Sequence, residues 1–217
     1  MPPLREAVIF FCCLVVAVIL HEVSHGVVAY WLGDDTAKRA GRLTLNPVPH
    51  IDPFGSILLP AMGALAGLPV FGYAKPVPVN PAQLRHPRRD MVFVSLAGPF
   101  TNLVLMVIGA LVARAIYSGG GSLPGAIDQS STTYLFLEIA FYFALVNLLL
   151  GLFNLLPIPP LDGSALLERV LPEAWLGTWY RIRPYGFVVL LFLILFTGVL
   201  GTVVQPFFNA LRDFVVA

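Results

Sequence analysis

Residues 21–25 read His-Glu-Val-Ser-His, which is an H-E-x-x-H pattern. On a helix, residues four apart lie on one face, so His21 and His25 can reach the same metal ion. The intervening Glu22 can act as general base on a water bound to that metal. Zinc lowers the pKa of such a water toward about 7, which makes hydroxide available at neutral pH. The pattern therefore predicts a hydrolytic zinc site.

The apolar setting of this pattern favours a functional role. His21, Glu22 and His25 lie inside an apolar stretch at roughly 7–31. In the hydrocarbon of a bilayer, an ionisable side chain costs roughly 2.5 kcal/mol or more, and such residues usually serve function. A chance H-E-x-x-H on an exposed helix is the competing explanation, and it would weigh more in a soluble protein than in this stretch.

A third metal ligand must come from elsewhere in the chain, because catalytic zinc sites use three protein ligands and keep a fourth position open. The best candidate is Asp162, between three prolines and Gly163. The prolines end an apolar stretch, and irregular backbone at membrane depth is tolerated only when it is buried in protein or lines a wet cavity. The alternative role for Asp162 is an N-cap of a helix over 163–171.

The composition is that of an integral membrane protein. Of the 217 residues, 58% are hydrophobic and 12% are charged, whereas a soluble domain carries about 25% charged residues. The net charge of +1 and the lack of a Lys and Arg stripe argue against nucleic-acid binding. We expect residues 1–217 to form a single membrane-embedded domain.

The elements that must position these residues are predicted to be membrane helices. A spanning helix needs about 20 mostly apolar residues, and four stretches qualify, at roughly 7–31, 91–117, 134–156 and 185–208. A fifth apolar stretch, 52–71, is repeatedly broken by Pro and Gly. The prediction is an all-α, polytopic helical bundle of about four spanning helices, with 52–71 as a re-entrant segment.

A short β-hairpin is predicted near 36–48. Residues 41–47 show the alternation and turn residues of a short strand. An unpaired strand edge there could hold an unwound substrate by strand addition. A plain hairpin at the membrane interface is an equally good explanation.

Three motifs along the chain resemble those of a known family. They are His21 through His25 at the end of a membrane helix, Ala97 through Asn102 opening another, and Asn154 through Gly163 closing a third. Their content and order resemble the site-2 protease family of intramembrane metalloproteases. The resemblance implies that zinc is bound at the positions of His21, His25 and Asp162, with Glu22 as the catalytic base.

The resemblance also implies a role for Asn154, whose amide could orient or polarise the scissile carbonyl. Asn102 is a second candidate for that role, and an interhelical hydrogen bond is its alternative. No PDZ-like insertion separates 117 from 134 and no nucleotide-sensing domain follows the last predicted span, so the chain resembles the minimal branch of the family.

The predicted zinc site constrains the topology. For Asp162 to reach the histidines, span 134–156 must end on the same side of the membrane as span 7–31, so 52–71 must re-enter without crossing. In that topology ten Lys and Arg residues lie on the side where the site opens and three lie on the other, whereas a spanning 52–71 gives eight against five. The positive-inside rule then predicts a multi-pass protein of the cell membrane, with the site opening to the cytoplasm and both termini outside.

The function predicted is zinc-dependent hydrolysis of peptide bonds in or near transmembrane segments of other proteins. The partners expected are those substrates and the lipid bilayer, and an unknown regulatory membrane partner is left open. The alternative is a metal-binding membrane protein without proteolysis, such as a transporter. A transport site needs the ligands but not a base, so Glu22 distinguishes the two functions.

Overall fold

The computed structural model describes residues 4–58, 62, 65, 72–119, 131–193 and 198–217. Every regular element in these ranges is helical, which confirms the all-α prediction. The helices are α1 (Leu4–Trp31), α2 (Thr36–Arg39), α3 (Pro87–Gly119), α4 (Thr132–Asn154), α5 (Ser164–Val170), α6 (Glu173–Ile182), α7 (Gly186–Phe192) and α8 (Val199–Val216). Shorter helical turns are Val48–His50, Pro53–Leu58, Pro81–Gln83 and Arg183–Tyr185.

Three of the helices that the structure describes, α1, α3 and α4, are long and apolar enough to cross a membrane. They coincide with the predicted spans at 7–31, 91–117 and 134–156. The predicted fourth span, 185–208, is not confirmed. Its described residues belong to two shorter helices, with Gly198 at a left-handed φ of +61° before α8, and residues 194–197 lie outside the description.

The three long helices pack through small residues. His21 and His25 of α1 meet α3 in reverse order, at Asn102 and Val94 respectively, so α1 and α3 are antiparallel. Helices α3 and α4 are antiparallel as well, and a Cβ added at Gly109 would lie 3.0 Å from the backbone N of Ala144. Small residues allow such close backbone approach in membrane bundles. It follows that α1 and α4 end on the same side of the bundle.

The predicted β-hairpin near 36–48 is wrong, because these residues form the helical turn α2 followed by irregular turns, with no strand. Side chains satisfy the backbone locally. Asp34 Oδ1 accepts from the N–H of Thr36 at 2.9 Å, Thr44 Oγ1 from Asn46 at 3.2 Å, and Asn46 Oδ1 from Val48 at 3.0 Å. Such bonds compete with a strand ladder. The substrate clamp that depended on this strand is therefore withdrawn.

Most of the predicted re-entrant segment 52–71 lies outside the described residues, but the chain on either side of it is described. The N–H of Tyr73 donates to the carbonyl of Gly55 at 3.1 Å, and the hydroxyl of Ser56 donates to the carbonyl of Tyr73 at 2.9 Å. The N–H of Lys75 donates to the carbonyl of His50 at 2.9 Å. The chain thus returns at 73–75 to the place that it left at 50–56.

The extended stretch after this return is fastened to the end of α1. Asp34 is fully buried and follows α1 closely, and its Oδ2 accepts from the N–H of Asn80 at 2.6 Å. Its Oδ1 accepts from Thr36, as described above. Burial raises the pKa of Asp34, but the hydrogen bonds from Thr36 and Asn80 lower it by more, so the pKa lies below its ordinary value. One carboxylate therefore fastens the extended stretch to the end of α1 at Asn80.

Candidate metal centre

Two histidines and one aspartate meet where α1, α3 and the loop after α4 come together. Nε2 of His21 lies 3.0 Å from Nε2 of His25. Oδ2 of Asp162 lies 3.1 Å from the first nitrogen and 3.3 Å from the second. Both histidines are buried. The structure thus brings together the three side chains that the sequence predicted as metal ligands.

The ring of His25 is oriented by the backbone of α3. Its Nδ1 lies 2.6 Å from the carbonyl oxygen of Val94. A carbonyl oxygen only accepts hydrogen bonds, so Nδ1 carries the proton and Nε2 carries a lone pair. The lone pair of His25 consequently faces the ligand cluster.

The ring of His21 is oriented by a chain of two buried amides. Nδ2 of Asn147 donates to the carbonyl of Phe143 at 2.8 Å, so its Oδ1 faces Asn102 and accepts from Nδ2 of that residue at 2.8 Å. Oδ1 of Asn102 then faces Nδ1 of His21 at 2.5 Å. Because the carbonyl of Phe143 can only accept a hydrogen bond, the donor and acceptor atoms of both amides are fixed. The two amides hold the proton of His21 on Nδ1 and leave a lone pair on Nε2.

When both imidazoles are neutral and carry their proton on Nδ1, the cluster presents three electron-pair donors to one another. Oδ2 of Asp162 is buried and has no hydrogen-bond donor. The lone pairs of the three atoms repel one another unless a cation lies among them. Two imidazole nitrogens and one carboxylate oxygen are a donor set that zinc accepts, and three protein ligands is the number in catalytic zinc sites. The residues present fit a zinc ion.

Gly98 of α3 allows the cluster to form. A Cβ at this position would lie 2.5 Å from Nε2 of both His21 and His25. This distance is far below any real Cβ contact, so a side chain here would displace the imidazoles. The sequence motif Ala97 through Asn102 thus contributes twice to the site, through the space at Gly98 and through the amide of Asn102.

Asp162 is held by the loop that follows α4. The N–H of Gly163 donates to the carbonyl of Asn154 at 2.7 Å, and a Cβ at Gly163 would lie 2.3 Å from the carbonyl oxygen of Leu155. The N-cap of α5 is Gly163, and no side chain caps this helix. The carboxylate of Asp162 does not serve as a helix cap and faces the histidines instead.

Glu22 is oriented by a residue that sequence reasoning did not single out. One of its carboxylate oxygens, Oε2, accepts from the backbone N–H of Val77 at 2.8 Å. Val77 lies between Pro76 and Pro78, neither of which has an N–H. Val77 therefore offers the one amide donor of this tripeptide, and a Pro-x-Pro pattern near an acid is the signal that could have pointed to it.

The two predicted amide residues have different surroundings. Asn102 is fully buried and contacts His21, as described above. Asn154 donates its amide to the carbonyl of Leu150 in its own helix at 3.0 Å. The described contacts bring the backbone of Asn154, and not its amide, to the loop that carries Asp162. Asn147 was not predicted, since no motif marks it.

Comparisons with known proteins show which family the chain belongs to. Residues 9–197 match the family model described as Peptidase family M50. The chain is 42% identical over 201 residues to "Putative zinc metalloprotease YwhC" of Bacillus subtilis (strain 168), covering 92% of this chain and 85% of that protein. It is 33% identical over 178 residues to "Putative zinc metalloprotease Rip2" of Mycolicibacterium smegmatis, covering 81% of this chain and 62% of that protein. No solved structure matches the chain. The chain belongs to peptidase family M50.

Proposed function

We propose that this chain hydrolyses peptide bonds in or near the transmembrane segments of other proteins, with zinc held by His21, His25 and Asp162. The chain is a membrane-embedded zinc metalloprotease, as its family and the names of its relatives indicate. The observation that carries the assignment to these residues is the distance of 3.0–3.3 Å that separates Nε2 of His21, Nε2 of His25 and Oδ2 of Asp162 from one another. Residues 1–217 would act as one membrane-embedded domain.

The chemistry assigns one role to each side chain. Bound zinc supplies Lewis acidity, which makes water a nucleophile at neutral pH and polarises a carbonyl. Glu22, adjacent in sequence to His21, takes a proton from the attacking water and passes it to the leaving amine. The hydrogen bond from Val77 holds one oxygen of Glu22 and leaves the other for this transfer.

The two asparagines of the family motifs are proposed to act on the protein and not on the substrate. Asn102 is a positioning residue, because its Oδ1 lies against Nδ1 of His21 and outer-shell partners of this kind orient metal ligands. Asn154 supports the loop of Asp162 through its carbonyl. A role of its amide at the scissile carbonyl would require that amide to leave Leu150.

The membrane topology is proposed from the same contacts. Helices α1 and α4 end on the same side, which lets Asp162 reach the histidines. The hydrogen bonds that join 50–56 to 73–75 support a topology in which these two stretches lie on the same side of the membrane. With the charge distribution, this favours a site that opens toward the cytoplasm and termini that lie outside. Reporters fused near residues 36 and 80 should report the same compartment, and opposite compartments would refute this topology.

The function is tested with purified protein and a model transmembrane substrate. We expect Glu22→Gln to retain zinc and to lose cleavage by about 10²- to 10⁴-fold, the usual contribution of a general base. His21→Ala and Asp162→Ala should lose zinc as well as cleavage. Full activity of Glu22→Gln would refute the protease mechanism and would favour the non-proteolytic alternative, which the comparisons do not support. Zinc retained by Asp162→Ala would remove the third ligand.

A further inference from the structure

Asn147 is a fully buried polar residue in the middle of an apolar membrane helix. A buried amide is costly unless it is hydrogen-bonded, and both functional groups of Asn147 are used. Its Nδ2 donates to the carbonyl of Phe143 at 2.8 Å, and its Oδ1 accepts from Nδ2 of Asn102 at 2.8 Å. It forms no hydrogen bond with a proposed zinc ligand or with Glu22 among the described residues, so neither the metal site nor the base explains it directly.

The orientation of Asn102 depends on this contact. An asparagine amide can turn by 180° and exchange its oxygen and nitrogen with little change in shape. In one orientation Oδ1 faces His21, and in the other Nδ2 does. Asn147 selects the orientation in which Oδ1 of Asn102 faces His21. The carbonyl of Phe143 binds Nδ2 of Asn147, so Oδ1 of Asn147 faces Asn102 and requires a donor there, which is Nδ2 of Asn102.

We infer that Asn147 is a positioning residue for the zinc ligand His21. It fixes the amide of Asn102, and the fixed amide keeps the proton of His21 on Nδ1 and the lone pair on Nε2. The inference rests on the proposed function, since it takes His21 to be a zinc ligand through Nε2.

The consequence of losing Asn147 follows from the orientation of the Asn102 amide. The amide of Asn102 becomes free to turn and to donate from Nδ2 to Nδ1 of His21. The proton of His21 then moves to Nε2, which faces His25 and Asp162 and must lose that proton before it binds a metal. His25 is unaffected, because its tautomer is fixed by the carbonyl of Val94.

The experiment measures zinc affinity of the full-length purified protein by competition with a chelator, and the visible absorption of the Co²⁺-substituted site. Asn147→Leu should weaken zinc binding about tenfold, within the range known for outer-shell partners of metal ligands, and should alter the Co²⁺ spectrum. If Asn147→Leu does not fold, Asn147→Ser serves instead. A serine hydroxyl bonds to the carbonyl four residues back and is too short to reach Asn102.

Two further variants separate positioning from packing. Asn147→Asp should bind zinc within about twofold of the wild type, because a neutral carboxyl can donate to Phe143 and accept from Asn102 as the amide does. Leu148→Ala is the matched control, since Leu148 is the buried neighbour in the same helix and has no part in the chain of amides. It should lower thermal stability and leave the zinc affinity and the Co²⁺ spectrum unchanged.

The double variant decides whether Asn147 acts through Asn102. If it does, Asn102→Leu/Asn147→Leu binds zinc no more weakly than Asn102→Leu alone. Effects that multiply would overturn the inference, as would wild-type affinity of Asn147→Leu or a tenfold loss in Asn147→Asp. His21→Ala is measured beside them. Retained zinc in that variant would refute the proposed function itself, whereas loss of zinc there together with normal binding by Asn147→Leu would refute only the role of Asn147.

Discussion

Replacing Val77 with proline removes the backbone N–H that donates to Glu22, the proposed catalytic base. The N–H of Val77 donates to Oε2 of Glu22 at 2.8 Å, and Val77→Pro deletes this donor while it keeps an apolar side chain at a buried position. The neighbours Pro76 and Pro78 already exclude helical backbone, so the change suits the local chain. Zinc binding should persist, because Val77 forms no hydrogen bond with a proposed ligand among the described residues.

The expected loss follows from the type of bond. A hydrogen bond to a charged group is worth about 1.5–3 kcal/mol, and each 1.36 kcal/mol in a barrier is a factor of ten. If the bond aligns Glu22 in the transition state, kcat should fall by about 10- to 150-fold. This is smaller than the loss expected for Glu22→Gln, because the base is displaced and not removed.

The assay compares Val77→Pro with Val77→Ala on a model transmembrane substrate, with zinc content and thermal unfolding measured in parallel. Val77→Ala keeps the N–H and loses only methyl groups that pack near Gly26, so its stability should fall while its kcat stays within about threefold of the wild type. The reasoning is refuted if Val77→Pro cleaves at the wild-type rate. It is also refuted if the alanine variant loses as much kcat as the proline variant.

Two further predictions concern Gly98, which leaves space for the proposed zinc ligands, and Asp34, which bonds the extended stretch at Asn80. Gly98→Ala should reduce zinc binding at least tenfold in a chelator competition, because its Cβ would overlap Nε2 of both histidines; zinc affinity equal to the wild type would mean that α3 can move away freely. Asp34→Asn should lower the free energy of unfolding at pH 7 by about 1–3 kcal/mol, since two partly buried N–H groups lose a charged acceptor. The pKa of Asp34 is lowered in the folded state, so this stabilisation is present at neutral pH and is lost as the pH falls through that pKa. Thermal unfolding over a pH series should therefore show the two proteins converging in acid, and a constant difference would contradict the assignment.

The sequence was informative where one physical rule was enough. The spacing of His21 and His25 on a helix placed both imidazoles on one face, and the prolines before Asp162 indicated where a third ligand could enter. The pairing of these distant residues was then a matter of topology, since helices that end on one side can share a site.

Other features could not be predicted, some because they depend on local backbone bonding and others because they depend on contacts between distant segments. The hairpin near 36–48 was wrong since Asp34, Thr44 and Asn46 bond to nearby backbone groups, which strand alternation does not register. Asn147 looked like one polar residue in an apolar run, and its partners became known only when α3 and α4 were packed together. The predicted fourth span was drawn from hydropathy, which is insensitive to the left-handed backbone of Gly198.

The order in which the ligands occur along the chain has a consequence for biosynthesis. His21 and His25 are in the first membrane helix, whereas Asp162 is made more than a hundred residues later. A newly inserted α1 carries Glu22 and the two histidines, but it lacks Asp162 and the two helices that orient the imidazoles. If these residues bind zinc as proposed, the metal site becomes complete only after α3 and α4 have assembled on α1. A nascent copy that consists of α1 alone would then hold no complete catalytic site.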